Sequence, residues 1–228
     1  MRSRIERVLK AGELRAWFLK YTREAYALLP RLDRPRILDI GCGSGSVTIE
    51  LARLSGSEVV GIDTDDSALT ELRRSVEGAG LGHRVKPINA SLFDAGLASE
   101  SFDVLWEEGV LHLFDPARSL PVCHRLLKAE GFLVVHETVA WFSGIRDQIP
   151  TFGFGVAGQL RLPQRCWWTD YYAPLEARIR LLREAGVDGI TPGELSRYER
   201  EIAMVRADPD RFDSGFFVLQ KPWPESAR

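Results

Sequence analysis

Cysteine is scarce in this chain: Cys42, Cys123 and Cys166 are the three among 228 residues. Widely spaced, odd in number and in no metal-ligand spacing, they exclude a disulfide scaffold and a cysteine-held metal, and they point to a reducing, cytoplasmic compartment. No metal site is expected. Long apolar runs are missing too. No segment approaches the roughly 18 uninterrupted apolar residues of a membrane span. Met1 to Lys10 is charged at every second or third position and lacks the apolar stretch of a signal peptide. A membrane partner is therefore not expected. Nor is there an excess of basic charge. Lys and Arg number 30 against 32 Asp and Glu, a net charge of −2, so the footprint of a nucleic-acid binder is absent. The first 36 residues do hold ten basic against four acidic residues, which reads as a solvated helix face. With 45% hydrophobic and 27% charged residues, the chain is neither disordered nor fibrous.

What is present is alternation. From Leu38 to Glu137 short β-branched runs alternate with amphipathic stretches, the signature of βαβ units and a parallel sheet. Strands are expected at Arg36 to Ile40, Glu58 to Asp63, Arg84 to Asn89, Phe102 to Trp106 and Gly131 to His136. Helices are expected at Ser44 to Leu54, Asp66 to Ala79 and Pro116 to Lys128. Pro87 cannot donate a ladder hydrogen bond, so the third strand belongs at a sheet edge. Upstream, Ile5 to Leu29 reads as one helix burying Leu14, Trp17, Phe18, Tyr21, Ala25 and Leu28. Downstream, Val156 to Leu162 and Gly215 to Leu219 read as strands around a helical, aromatic-rich stretch. No linker composition divides the chain, and a single domain is expected. It comprises an N-terminal helical cap (1–34), a core (35–137) and C-terminal strands with a helical insertion at about 164–213 (138–228).

The segment Leu38-Asp39-Ile40-Gly41-Cys42-Gly43-Ser44-Gly45-Ser46 follows a strand and opens a helix. Its glycines permit a tight turn and close approach of a ligand to main chain. Asp63, eighteen residues after Gly45 at the end of the second strand, is placed to accept both hydroxyls of a ribose, with Thr64 beside it. A nucleoside-containing cofactor follows. A dinucleotide would bring a diphosphate to the helix N-terminus, where Asp39 would repel it, so an NAD(P)-dependent oxidoreductase is the weaker reading. An acid suits a ligand bearing an ammonium group, as S-adenosylmethionine does.

These residues make the chain resemble the class I S-adenosylmethionine-dependent methyltransferases. LDIGCGSG at 38–45 is similar to the family's first motif, and GID at 61–63 to its second. FDVLWEEG at 102–109 and HRLLKAEGFLVVHE at 124–137 resemble the fourth and fifth strands and the helix between them. The resemblance implies a Rossmann-like, doubly wound α/β sheet of seven strands in the order 3-2-1-4-5-7-6, with strand 7 antiparallel. It implies S-adenosyl-L-methionine as cofactor and S-adenosyl-L-homocysteine as product. Asp39, Gly41, Cys42, Gly43, Asp63 and Thr64 then bind the cofactor, with the main chain of Glu107 facing its ammonium. The family often has an acid at the adenine position; here Asn89-Ala90-Ser91-Leu92 stands there, leaving the Ser91 hydroxyl and the Leu92 N–H as adenine contacts. Glu108-Gly109 and the run Trp167-Trp168-Thr169-Asp170-Tyr171-Tyr172-Ala173-Pro174-Leu175-Glu176 also resemble a bacterial and archaeal subgroup of small-molecule type.

Methyl transfer is an in-line displacement that needs alignment, exclusion of water and, for a protonated nucleophile, a base. Glu108, His112 and Tyr171 are the candidate catalytic residues. Tyr21, His136, Trp168 and Tyr172 are candidates for an acceptor pocket, with Glu137 beside His136. The aromatic segment reads either as a lid over the acceptor or as filler that docks the insertion on the sheet. The acceptor expected is a small molecule offering oxygen, nitrogen or a similar nucleophile. A catalytically silent S-adenosylmethionine binder is the reading from another class. The sequence leaves the acceptor's identity and the oligomeric state open.

Overall fold

A computed structural model describes residue 9, residues 11–184 and residues 192–222. A seven-stranded sheet organises them, with β1 at Ile37–Ile40, β2 at Val59–Asp63, β3 at Val85–Asn89, β4 at Phe102–Glu108, β5 at Leu127–Thr138, β6 at Gly155–Arg161 and β7 at Ser214–Gln220. Their order is β3-β2-β1-β4-β5-β7-β6. All neighbours from β3 to β5 run parallel, and β7 pairs antiparallel with both β5 and β6. β3 takes the edge that Pro87 requires, bonded among the described residues only to β2.

Helices cover both faces of the sheet. Alternation along the strands sends Ile37, Val59, Val104, Trp106, Val134 and Phe216 to one face, under α1 (Ala11–Ala16), α2 (Leu19–Tyr26), α3 (Ser46–Ser55), α4 (Asp66–Gly78) and the insertion. Leu38, Ile40, Leu105, Leu133, Val135 and Phe217 point to the other, under α5 (Pro116–Leu126) and α6 (Val139–Ile145). The helix starts follow local chemistry. Asp65 caps α4 by accepting from the Ser67 and Ala68 N–H groups, and Asp115 caps α5 ahead of Pro116.

The N-terminal segment departs from the single helix its periodicity predicts. Tight bonds from Trp17 N to Leu14 O and from Phe18 N to Arg15 O break it into α1 and α2. The turn swings Phe18 inward onto the Trp167 ring, centroids 4.3 Å apart. Trp17 is thereby turned outward, 64% exposed, and Leu28 is 44% exposed, so neither belongs to the buried stripe. The predicted start of that helix and residues 185–191 of the insertion lie outside the described residues. Within the insertion, Trp167–Tyr172 winds as a π-turn into α7 (Ala173–Glu184), followed by α8 (Pro192–Ala207) and a 3₁₀ turn at Pro209–Phe212.

Candidate active site

The carboxyl ends of β1, β2 and β4 carry the predicted cofactor residues. Gly41, Gly43 and Gly45 all have positive φ, +71°, +50° and +88°, and the space around them differs. A Cβ on Gly41 would stand 2.3 Å from Val110 Cγ2, and one on Gly45 2.0 Å from Leu72 Cδ1, whereas among the described residues nothing lies within 4 Å of the position at Gly43. Gly41 and Gly45 thus serve close packing, and Gly43 alone opens main chain to an approaching molecule. The Gly41 and Cys42 N–H groups both donate to Ile62 O, fixing the loop on β2.

Asp39 is buried, its Oδ2 accepting from Thr48 Oγ1 at 2.6 Å. Burial pushes its carboxyl up to about 7, against the Thr48 hydrogen bond that favours the ionised form. Asp63 ties the loops together: Oδ2 accepts from Gly43 N at 2.8 Å and Oδ1 from Asp65 N at 2.8 Å. Helix capping falls to Asp65, which leaves Asp63 facing the loop, with exposed Thr64 next to it. Ser91 Oγ is partly committed, accepting from Phe93 N at 3.1 Å. Leu92 is buried, and its N–H has no acceptor among the described residues. An open glycine, two acids and a free N–H in one rim fit a nucleoside ligand with a cationic end.

Glu107 turns away from this loop. Its side chain lies on the opposite sheet face, where Oε1 accepts from the Val110 and Leu111 N–H groups, the latter at 2.9 Å, while buried Oε2 has no partner among the described residues. Burial, with Glu137 close by, raises this carboxyl well above the usual range. Glu107 therefore shapes the loop that sets Val110 against Gly41, and only its main chain is left to face a ligand.

Glu108 points the other way, toward α2 and the insertion. Trp106 Nε1 and Thr22 Oγ1 both donate to its Oε1, each at 2.9 Å. The side chain is 17% exposed, and burial lifts its carboxyl to about 7. His136, its register partner on β5, brings Nδ1 to 3.9 Å from Oε2. The imidazole stacks on Phe216 at 4.4 Å and 12°. Its Nε2 meets Ser214 Oγ at 3.1 Å, and the same hydroxyl accepts from Trp167 Nε1 at 2.9 Å. Burial drops His136 to about 4, so the ring is neutral near pH 7. Ser214 and Trp167 close this wall, and no local pattern in the sequence marks Ser214 as part of it.

The expected catalytic trio does not assemble. His112 is bound to Glu137, on the face away from Glu108, through its N–H at 3.0 Å and its Nδ1 at 2.9 and 3.1 Å from the two carboxylate oxygens. Tyr171 is 3% exposed and packed against Tyr172 and Trp167, with the Arg15 guanidinium over its ring. Tyr172 donates to Glu201 at 2.7 Å, Arg206 covers Trp168, and Tyr21 is buried beneath Lys20. The aromatic segment is thus core that docks the insertion, with Trp167 the ring that reaches Glu108's neighbours.

A glycine loop after β1, an acid at the end of β2 and an enclosed carboxylate at the end of β4 stand together on one rim of the α/β sheet. The methyltransferase-domain family model matches residues 38–135. A ubiquinone biosynthesis O-methyltransferase of Cereibacter sphaeroides is 32% identical over 177 residues, 75% of this chain and 67% of that protein. The chain belongs to the class I S-adenosylmethionine-dependent methyltransferases, and S-adenosylmethionine is its cofactor. The fold is also that of an S-adenosylmethionine-dependent methyltransferase from Thiobacillus denitrificans solved with S-adenosyl-L-homocysteine, with a TM-score of 0.67, 20% identity and coverage of 88% and 90% of the two chains. The cyclopropane synthase MmaA2 of Mycobacterium tuberculosis shares it as well, at a TM-score of 0.71, 15% identity and coverage of 89% and 84%. Among the described residues, no helix is long and apolar enough to cross a membrane.

Proposed function

We propose that the chain methylates a hydroxyl, amine or similar nucleophile of a small molecule held between β4, β5, α2 and the insertion, with Glu108 as the base. The observation that carries this reading is the Glu108 carboxylate. One oxygen is anchored by Trp106 and Thr22, the other faces His136, and burial brings the group to about 7. Such a carboxylate takes a proton near neutral pH. The Cereibacter relative's name supports an oxygen acceptor.

S-adenosylmethionine supplies an electrophilic methyl group on a sulfonium. Asp39 would hold its cationic end, Gly43 would admit it to the loop main chain, Asp63 would accept from the ribose hydroxyls, and the Leu92 N–H and Ser91 would meet the adenine. Toward the acceptor, Glu108 Oε2 receives the proton released by the nucleophile. Neutral His136 and Trp167 line the wall and exclude water, Ser214 fixing both rings. Tyr171 and His112 have no part in this chemistry, the first as core and the second as partner of Glu137.

The test is transfer of labelled methyl from S-adenosylmethionine to a panel of phenols, catechols, amines and hydroxy acids, with wild type and Glu108→Gln. Product with wild type, and at most a hundredth of it with a variant that still binds S-adenosylhomocysteine, is the expected result. Product formed equally by both would remove Glu108 from the role.

A further inference from the structure

The sheet rim carries a second recess, which the cofactor loops do not line. A cleft of about 420 Å³ opens where β5, β7 and β6 meet the insertion, with Val139, Ala140, Arg161, Gln164, Arg211 and Ser214 in its walls. Asp210 and Asp213 also line it, but both are engaged by one residue. Arg165 spans Asp210 with Nε–Oδ1 at 2.6 Å and Nη2–Oδ2 at 3.1 Å, and its main-chain N–H donates to Asp213 Oδ1 at 2.8 Å. Arg161 and Arg211 are exposed, and neither guanidinium has an ion pair or hydrogen bond among the described residues. The cleft therefore presents two uncommitted planar cations, the geometry that suits bidentate recognition of a carboxylate or a phosphate.

We infer that this cleft binds an oxyanion, carboxylate or phosphate, on the Arg161 and Arg211 guanidiniums. Arg161 pairs with Gly215, itself the register partner of Glu137, so it leaves β6 on the sheet face away from Glu108, and the site is separate from the acceptor pocket proposed above.

Benzoate, phenyl phosphate and uncharged benzamide, titrated into the protein by ligand-observed NMR at 0.15 M salt with and without S-adenosylhomocysteine, test this. At least one anion is expected to bind tenfold or more tightly than benzamide, and whichever anion is preferred assigns carboxylate or phosphate. Arg161→Gln with Arg211→Gln abolishes the preference, and each single change lowers it. S-adenosylhomocysteine affinity stays within twofold, and Arg53→Gln on α3 changes nothing. Anions bound no better than benzamide, or a preference that survives in the double variant, would overturn the inference. Failure of the proposed function looks different: no methyl transfer to any acceptor, while the anion preference and its arginine dependence persist in the cofactor-free protein.

Discussion

Both hydrogen bonds to Glu108 end on the same oxygen, so Glu108→Gln retains an acceptor for Trp106 and Thr22 and loses only the proton acceptor. Turnover should fall by about 10² to 10⁴-fold with the melting temperature nearly unchanged. The wild-type rate should rise with pH through about 7, where the carboxyl ionises, and the variant's residual rate should lack that step. At the loop, Gly43 and Gly45 separate binding from folding. Gly43→Val should abolish S-adenosylhomocysteine binding by calorimetry and cost about 1–2 kcal/mol for a side chain at positive φ. Gly45→Ala, which drives a methyl into Leu72, should cost stability and leave the affinity of the surviving folded protein largely intact. Asp63→Ala should weaken S-adenosylmethionine about tenfold to a few hundredfold. A titration curve that stays put while the melting temperature drops would make Asp63 only a clamp for the Gly43 and Asp65 N–H groups. The glycines and both acids were legible because their spacing is local. Thr22 and Ser214 were not, since they reach Glu108 and His136 across 86 and 78 residues, and no local pattern marks a side chain that finds its partner through tertiary packing.

The elements themselves were read largely from periodicity, and the misreading at the N-terminus has a cause. Helical spacing places Trp17 and Phe18 on one stripe, yet they cannot both be buried once Phe18 stacks on Trp167. A partner from the insertion decides which ring goes in. The π-turn that carries Trp167 was likewise invisible, because its hydrogen bonding differs from that of an α-helix while its composition does not. Trp167→Ala should cost about 3–5 kcal/mol in denaturant unfolding, and it should also alter the pH profile of turnover by freeing Ser214 and His136. Tyr171→Ala should cost at least as much stability, since its ring is buried where Trp167 is half-buried, but leave that pH profile unmoved. Profiles that shift equally in both variants would assign Tyr171 to the site after all.

For the molecule as a whole, the buried ionisable groups set a pH dependence whose sign is fixed. Asp39 and Glu108 have folded values near 7, above those of the unfolded chain. The folded state therefore binds more protons between about pH 4 and 7, and stability falls as pH rises through that window. His136, lowered to about 4, acts oppositely between about 4 and 6.5. Above 6.5 the acids are unopposed, so melting temperature should decline from pH 6.5 to 8 in cofactor-free protein, less steeply in Glu108→Gln. A slope that is the same in both would show that Glu108 titrates elsewhere.

Strand β7 runs antiparallel between β5 and β6, and β6 bonds to no other strand among the described residues. That arrangement imposes an order in time. On a ribosome the glycine loop, Asp63 and Glu108 all emerge before residue 110, and the parallel half of the sheet can close around them. Strand β6 has no berth on the sheet until residue 214 arrives, because it pairs with β7 alone among the described strands. A nascent chain halted before Ser214 would hold the cofactor residues without the wall that Ser214 and Phe216 complete, a half-built enzyme able to receive a methyl donor and unable to present anything for it to methylate.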